Sequence, residues 1–197
     1  IVFDPNGTAG DLSSKDFTVN DDGGTGMITH SFSKDFGNGG FQQLEINFTD
    51  FDPLFATAGL SVHFLERAQN LSPFSAVIIP GSKCTRDDLE WLADTGWMDV
   101  ISGFHGNQGH VLGICGGYQM LGHMVHDPDG LEGTPGSTRG LSLLPVDTKL
   151  AAPKTTTIAK FRWEESSGAG YEIHMGRTEL FGGRPLFKVT ELNGKAH

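Results

Sequence analysis

Val111-Leu112-Gly113-Ile114-Cys115-Gly116-Gly117-Tyr118-Gln119-Met120-Leu121-Gly122 decides how this chain is read. The first four residues are a short apolar run of the kind found in strands buried on both faces of a parallel sheet. Without a gap, two glycines follow a cysteine and a new apolar period begins. A strand-to-helix turn this sharp leaves little room for side chains, so glycine is needed to remove Cβ clashes. The cysteine is then left standing at the carboxyl edge of the sheet, where open α/β sheets place their ligands. The free N–H groups at a helix start can lower a thiol's pKa there and hold an anion. Cys115 is therefore the candidate nucleophile.

Working outward, Ala76-Val77-Ile78-Ile79 is a second continuous apolar run, stopped by Pro80-Gly81. Between the two runs, Thr85 followed by Asp88 reads as a helix N-cap, with Leu89, Trp91 and Leu92 recurring at helical spacing. Gly96 is placed to close that helix, and a second short helix is expected to carry Met98 to Phe104. Leu60 to Leu65 alternates like a strand; Leu141 to Val146, Thr155 to Phe161, Gly170 to His174 and Leu186 to Val189 read as further strands. Residues 127–140 read as loop. The expected architecture from residue 44 is α/β, a mostly parallel sheet with helices on both faces and antiparallel strands after residue 141. Residues 1–43 form a Gly/Asp-rich stretch, read as an irregular flank or linker.

Composition narrows the classes. With 197 residues the chain is long enough to bury a core without staples. Glycine, at 28 residues, is about twice as frequent as usual. Fourteen Lys+Arg against 24 Asp+Glu give a net charge of −10, with no basic run, which argues against nucleic acid as a partner. The two cysteines, Cys84 and Cys115, stand in no metal-ligand spacing, so no metal site or disulfide framework is expected. No stretch has the length and apolarity of a membrane span, and the start IVFDPNGTAGD lacks signal-peptide regions. A cytoplasmic protein with no membrane contact is expected. Because it begins at Ile1 rather than Met, the chain also reads as a piece of a longer protein.

A thiol nucleophile needs a base. Of the eight histidines, His63 falls in a strand pattern, and His123 and His126 are expected on the helix after Cys115. His174, in Gly170-Tyr171-Glu172-Ile173-His174-Met175-Gly176, ends a strand before a glycine and can be delivered to the same sheet edge. It is the candidate base by position, with a structural role as the alternative. Cys84, in the loop after Pro80-Gly81-Ser82-Lys83, is expected to be passive.

Ile114-Cys115-Gly116-Gly117-Tyr118-Gln119-Met120-Leu121-Gly122 resembles the nucleophile motif of the class I, triad-type glutamine amidotransferases in the form used by cobyric acid synthases. Four further segments agree in order: Asn47-Phe48-Thr49-Asp50-Phe51-Asp52-Pro53-Leu54, Ile79-Pro80-Gly81-Ser82-Lys83, Glu132-Gly133, and Gly170 through His174 to Thr178. The resemblance covers roughly residues 46–190. It implies a flavodoxin-like glutaminase domain over residues 44–197, incomplete at its C-terminus, in which Cys115 attacks the side-chain amide of glutamine. Backbone N–H groups of Gly116 and of the Gly81-Ser82 turn would hold the oxyanion, and Tyr118 and Gln119 would help seat glutamine. The domain itself would need no cofactor. ATP and Mg belong to an ATP-dependent synthetase domain, in cis or in trans, which uses the ammonia to amidate the side-chain carboxylates of a corrinoid, adenosylcobyrinic acid a,c-diamide, on the route to cobalamin.

Two departures from the family pattern qualify those expectations. The family's catalytic histidine lies in a later Tyr-Leu-His-Gly segment that this chain does not contain, which makes His174 a structural or substrate-side residue in the family's terms. No Walker-type loop of the synthetase domain is present either. The alternative expectations are a catalytically silent glutaminase-fold module and a cysteine hydrolase with a different substrate.

Overall fold

The computed structural model describes Leu54 and residues 57–196, together with the backbone of strands β1 (Val2–Phe3), β2 (Thr18–Asp21), β3 (Ile28–Asp35) and β4 (Phe41–Asn47). The chain continues through β5 (Val62–His63), β6 (Ala76–Ile79), helices α1 (Thr85–Asp94) and α2 (Trp97–Gly106), β7 (His110–Gly113) and the short helix α3 (Gly116–Met120). Strands β8 (Met124–Asp127), β9 (Gly136–Arg139), β10 (Val146–Lys149), β11 (Thr155–Trp163), β12 (Ser166–His174), β13 (Arg177–Leu180), β14 (Lys188–Leu192) and β15 (Lys195–Ala196) follow.

The α/β reading holds where the site is built. The apolar runs at 76–79 and 111–114 become β6 and β7, paired in parallel with Ile79 opposite Gly113. Parallel neighbours need a long crossover, and α1 and α2 supply it. Thr85, Leu89 and Leu92 face inward from α1 at helical spacing, and Trp97 and Ile101 from α2. Gly96, at φ 79°, takes the left-handed conformation that lets one helix stop and the next begin. Leu89, Leu92, Trp97 and Ile101 pack with Val77, Ile79, Met120 and Leu121 in one core that extends to Val125 and Leu150 of the following region. Sheet order is β5-β1-β6-β7, with β1 antiparallel to both neighbours. A second sheet, β13-β10-β8-β9, has β8 and β10 parallel; the sheets β12-β11-β14-β15 and β2-β3-β4 are antiparallel.

Several local expectations are corrected. The irregular flank expected over residues 1–43 contains β1, β2, β3 and the start of β4, and β3 pairs with β4 from Thr29–Asn47 to Asp35–Phe41. Alternation in Gln43-Leu44-Glu45-Ile46 is a strand signal that the surrounding glycines obscured; stretches 22–27 and 36–40 lie outside the described residues. Leu141 to Val146 is not a strand. Its N–H groups turn back onto the end of α3, Leu141 to Met120 O and Leu143 to Leu121 O, both at 2.8 Å, and the chain enters β10 only at Val146. Helix α3 is shorter than expected, so His123 follows it in a turn and His126 lies on β8. Thr85 is not an N-cap: Cys84 occupies that position without a side-chain cap, and Thr85 is the first helical residue, 1% exposed.

The turn from β7 into α3 is set by contacts that admit no Cβ. One on Gly117 would lie 2.1 Å from Ile79 O and 2.6 Å from Pro80 O; one on Gly113 would lie 2.5 Å from Gly117 O. A second tight turn follows β8. Asp127, fully buried, accepts the N–H of Leu131 at 2.8 Å and of Glu132 at 2.9 Å. Burial works against its charge, but the N–H groups of Glu132, Leu131 and Gly130, with the Arg86 guanidinium, outweigh it and hold the carboxyl below its ordinary value.

Gly117→Ala is expected to cost about 3 kcal/mol in denaturant unfolding, whereas Gly103→Ala in α2, where a Cβ meets nothing within 4 Å, leaves stability unchanged or raises it by up to ~1 kcal/mol. Equal costs at the two positions would show that the turn is not the constrained element. Asp127 contributes stability above its unfolded value of about 4, and that contribution is lost as pH falls through the lower folded value. The gap in denaturation midpoint between the wild-type chain and Asp127→Asn should therefore be wide at neutral pH and close towards pH 2. A gap independent of pH would contradict the ionised, hydrogen-bonded carboxylate.

Candidate active site

Cys115 sits between β7 and α3 at φ 51°, ψ −113°, a positive φ that only a turn held by its surroundings keeps in a non-glycine residue. The holding contacts are Ile114 N–H to Ile79 O at 3.0 Å and Gly117 N–H to Ile114 O at 2.8 Å. The side chain is exposed. Its Sγ lies 4.0 Å from Ile173 O, at the end of β12.

The loop after β6 closes on the same spot. A Cβ on Gly81 would touch Cys115 Cβ at 3.4 Å and Sγ at 4.0 Å, so Gly81 lies beside the thiol. A Cβ on Gly116 would lie 2.8 Å from Ser82 N, so the backbones of the two turns meet directly. The expected grouping of Gly81, Ser82 and Gly116 around Cys115 is present as backbone. The Ser82 hydroxyl is turned away, accepting from Cys84 N at 2.9 Å and bonding Asp88. As the first residue of α3, Gly116 has an N–H with no partner inside the helix. Tyr118 is exposed on α3, three residues after Cys115.

Gln119 is bonded within the protein. It is 7% exposed, its Nε2 donates to Met175 O at 3.0 Å, and its Oε1 faces the Thr85 hydroxyl at 3.4 Å. In this arrangement it ties the 173–176 turn to the body of the domain. His174 lies in that turn, but its nitrogens face Gly176 O at 3.1 Å and Glu172 Oε1 at 2.5 Å. No histidine nitrogen hydrogen-bonds Cys115 among the described residues. His174 braces the turn and is not set against the thiol as a base.

Cys84 differs from Cys115 in its surroundings. Burial, then the carboxylates of Asp87, Glu132 and Asp88, push its thiol up, with Lys83 opposing. That environment disfavours a thiolate and fits a passive cysteine. Glu132, in the sequence only part of the Glu132-Gly133 motif, has a structural role here. Its carboxylate accepts from Thr85 Oγ1 at 3.2 Å and from Arg86 N at 3.3 Å. Burial pushes it up, and the Arg86 and Thr85 hydrogen bonds oppose that shift. A carboxylate set just ahead of an expected N-cap Thr in space, but far away in sequence, leaves no periodic signal. Among the described residues no group of three or more His, Cys, Asp or Glu is placed to hold a metal ion, and no helix is long and apolar enough to cross a membrane.

Comparison with known proteins gives the family. Residues 43–197 match the model of the CobB/CobQ-like glutamine amidotransferase domain. The chain is 46% identical over 153 residues to a cobyric acid synthase of Chlorobaculum tepidum, an alignment covering 76% of this chain and 31% of that protein. It is 46% identical over 134 residues to the cobyric acid synthase of Paracoccus denitrificans and 48% identical over 137 residues to that of Cereibacter sphaeroides; each covers 68% of this chain and 28% of the relative. The chain thus spans about a third of the length of the curated relatives it matches. With the family model matching from residue 43 to residue 197, the chain belongs to the CobB/CobQ-like glutamine amidotransferase domain family.

Proposed function

We propose that the chain is a glutaminase module, with Cys115 as nucleophile, that supplies ammonia to an ATP-dependent synthetase region making cobyric acid. The observation that carries the reading is the exposed thiol at φ 51°, set on the first turn of a helix with the Gly81-Ser82 backbone against it. Thiolate attack on the glutamine Cδ forms a C–S bond and drives the carbonyl electrons onto oxygen. The N–H groups of Gly116 and of the Gly81-Ser82 turn would receive that oxyanion, a role that the close approach of the two backbones supports. Collapse breaks the C–N bond, the nitrogen takes a proton and leaves as ammonia, and a γ-glutamyl thioester remains. Water then adds to the thioester, releasing glutamate and returning the thiol.

Tyr118 would help seat the glutamine, and Gln119 and His174 hold the 173–176 turn near the thiol. The base that activates Cys115 is supplied from outside the described residues, since His174 is bonded elsewhere. The ammonia acceptors are the side-chain carboxylates of adenosylcobyrinic acid a,c-diamide, at a synthetase domain that uses ATP and Mg. We place the protein in the cytoplasm, a reducing compartment that suits two free cysteines. A second reading, a catalytically silent module, is favoured by the absence of a histidine on Cys115 among the described residues.

In the chain joined to its synthetase region, Cys115→Ala should abolish glutamine-dependent amidation, by at least ~10³-fold, while amidation with free ammonia persists. Amidation lost with both nitrogen donors would contradict the role given to Cys115, and glutamine-dependent turnover retained by the variant would favour the silent module.

A further inference from the structure

Glu132, Thr85 and Gln119 form a continuous hydrogen-bonded path that the proposed chemistry does not use. Glu132 Oε1 meets Thr85 Oγ1 at 3.2 Å, Thr85 Oγ1 meets Gln119 Oε1 at 3.4 Å, and Gln119 Nε2 donates to Met175 O at 3.0 Å. The path starts on the turn held by Asp127, crosses the first residue of α1, passes through α3 and ends on the turn whose Ile173 carbonyl lies 4.0 Å from Cys115 Sγ. Thr85 and Gln119 are 1% and 7% exposed, so water does not replace a lost partner there. We propose that Glu132 is a positioning residue for the Cys115 site, holding the 173–176 turn over the thiol through Thr85 and Gln119. The inference deepens the glutaminase reading and rests on it for its functional meaning.

The orientation of each group follows from donor and acceptor chemistry. Met175 offers a carbonyl, so the Gln119 amide must present its NH₂ there and its oxygen to Thr85. The Thr85 hydroxyl has one proton and faces two acceptors, Gln119 Oε1 and Glu132 Oε1. If Glu132 is ionised, the Thr85 hydroxyl serves only one of the two, and the half-buried Glu132 carboxylate keeps the backbone N–H groups of Thr85 and Arg86. If Glu132 carries a proton, it donates to Thr85 Oγ1, Thr85 donates to Gln119, and Gln119 donates to Met175; every member is then satisfied. Burial of Glu132 and the neighbouring Asp127 carboxylate both favour the protonated form, against the Arg86 and Thr85 hydrogen bonds. The titratable groups that face Glu132 are Asp127 from its own turn, and Cys84 and Arg86 from the start of α1. The Arg86 guanidinium is engaged by Thr138 Oγ1 and Thr134 O, and α3 presents the neutral Gln119.

A glutamine side chain at position 132 reproduces the protonated carboxyl, with an NH₂ for Thr85 and an oxygen for Arg86 N–H. The test measures the second-order rate at which iodoacetamide alkylates Cys115 in the folded full chain, read on the Cys115 peptide by mass spectrometry, with the thermal midpoint of each variant recorded alongside. Glu132→Ala and Thr85→Val are expected to loosen the turn and speed alkylation of Cys115 about tenfold. Glu132→Gln and Thr85→Ser, which keep the donors, should stay within about twofold of the wild-type chain. The proposal is overturned if the variants that break the path leave the rate unchanged while folded, or if Glu132→Gln accelerates alkylation as much as Glu132→Ala. Where Glu132→Ala does not fold, the Thr85 pair gives the same contrast. Iodoacetamide needs no glutamine pocket, so a failure of the glutaminase reading would appear as absent glutamine turnover with these rate differences intact.

Discussion

A Cβ on Gly117 would lie 2.1 Å from the carbonyl oxygen of Ile79, and that contact between the turn after β7 and the end of β6 sets the rest of the site. Because β6 and β7 are parallel and in register from Ala76–His110 to Ile79–Gly113, both strands end at the same edge. The loops that leave them must then share one small space. Glycine at 81, 113, 116 and 117 lets the backbones close on each other, and Cys115 is left at φ 51° with its side chain outward. The strain at Cys115 is held by hydrogen bonds from Ile114 N–H to Ile79 O and from Gly117 N–H to Ile114 O.

The far wall of the site comes from a different part of the fold. β12 pairs with β11 along its whole length and ends at His174, and the chain reverses at Gly176, φ 89°, before entering β13. A Cβ on Gly176 would lie 2.5 Å from Lys149 O, so this reversal too is set by backbone contact. Gln119 is the link between the two halves, since it leaves α3 one turn after the nucleophile and reaches Met175 O. Thr85, Glu132 and Asp127 extend that link to α1 and to the turn after β8. The Cys115 turn is thus held by backbone hydrogen bonds, and the 173–176 turn by side chains that do not hydrogen-bond the thiol.

The parts legible in the sequence were those with short-range signals. Ala76-Val77-Ile78-Ile79 became a strand with Val77, Ile78 and Ile79 buried, as an uninterrupted apolar run predicts, whereas Val111-Leu112-Gly113 became β7 at the end of its sheet with Leu112 48% exposed, so that run is less covered than its composition suggests; Gly116-Gly117 follow Cys115 in the turn because a Cβ fits at neither position. Where the local signal competed with a tertiary one, the tertiary one prevailed. Thr85 has the composition of a cap, yet its hydroxyl is directed to Glu132 and Gln119, residues distant in sequence. Leu141 to Val146 has strand composition, yet the N–H groups of Leu141, Leu143 and Leu144 are taken by the carbonyls of Met120 and Leu121 at the end of α3. His174 follows Ile173, whose carbonyl lies 4.0 Å from Cys115 Sγ, but which way its ring faces depends on Glu172 and Gly176, which spacing alone does not show.

The central claim is that Cys115, and not Cys84, is a thiol shaped to attack glutamine. Incubation of the folded chain with a glutamine-directed diazo ketone, followed by peptide mass spectrometry, measures this directly. The account predicts covalent labelling of the Cys115 peptide that excess glutamine suppresses, with Cys84 unmodified. Labelling of Cys84 in preference to Cys115, or no labelling of either in folded protein, would contradict it.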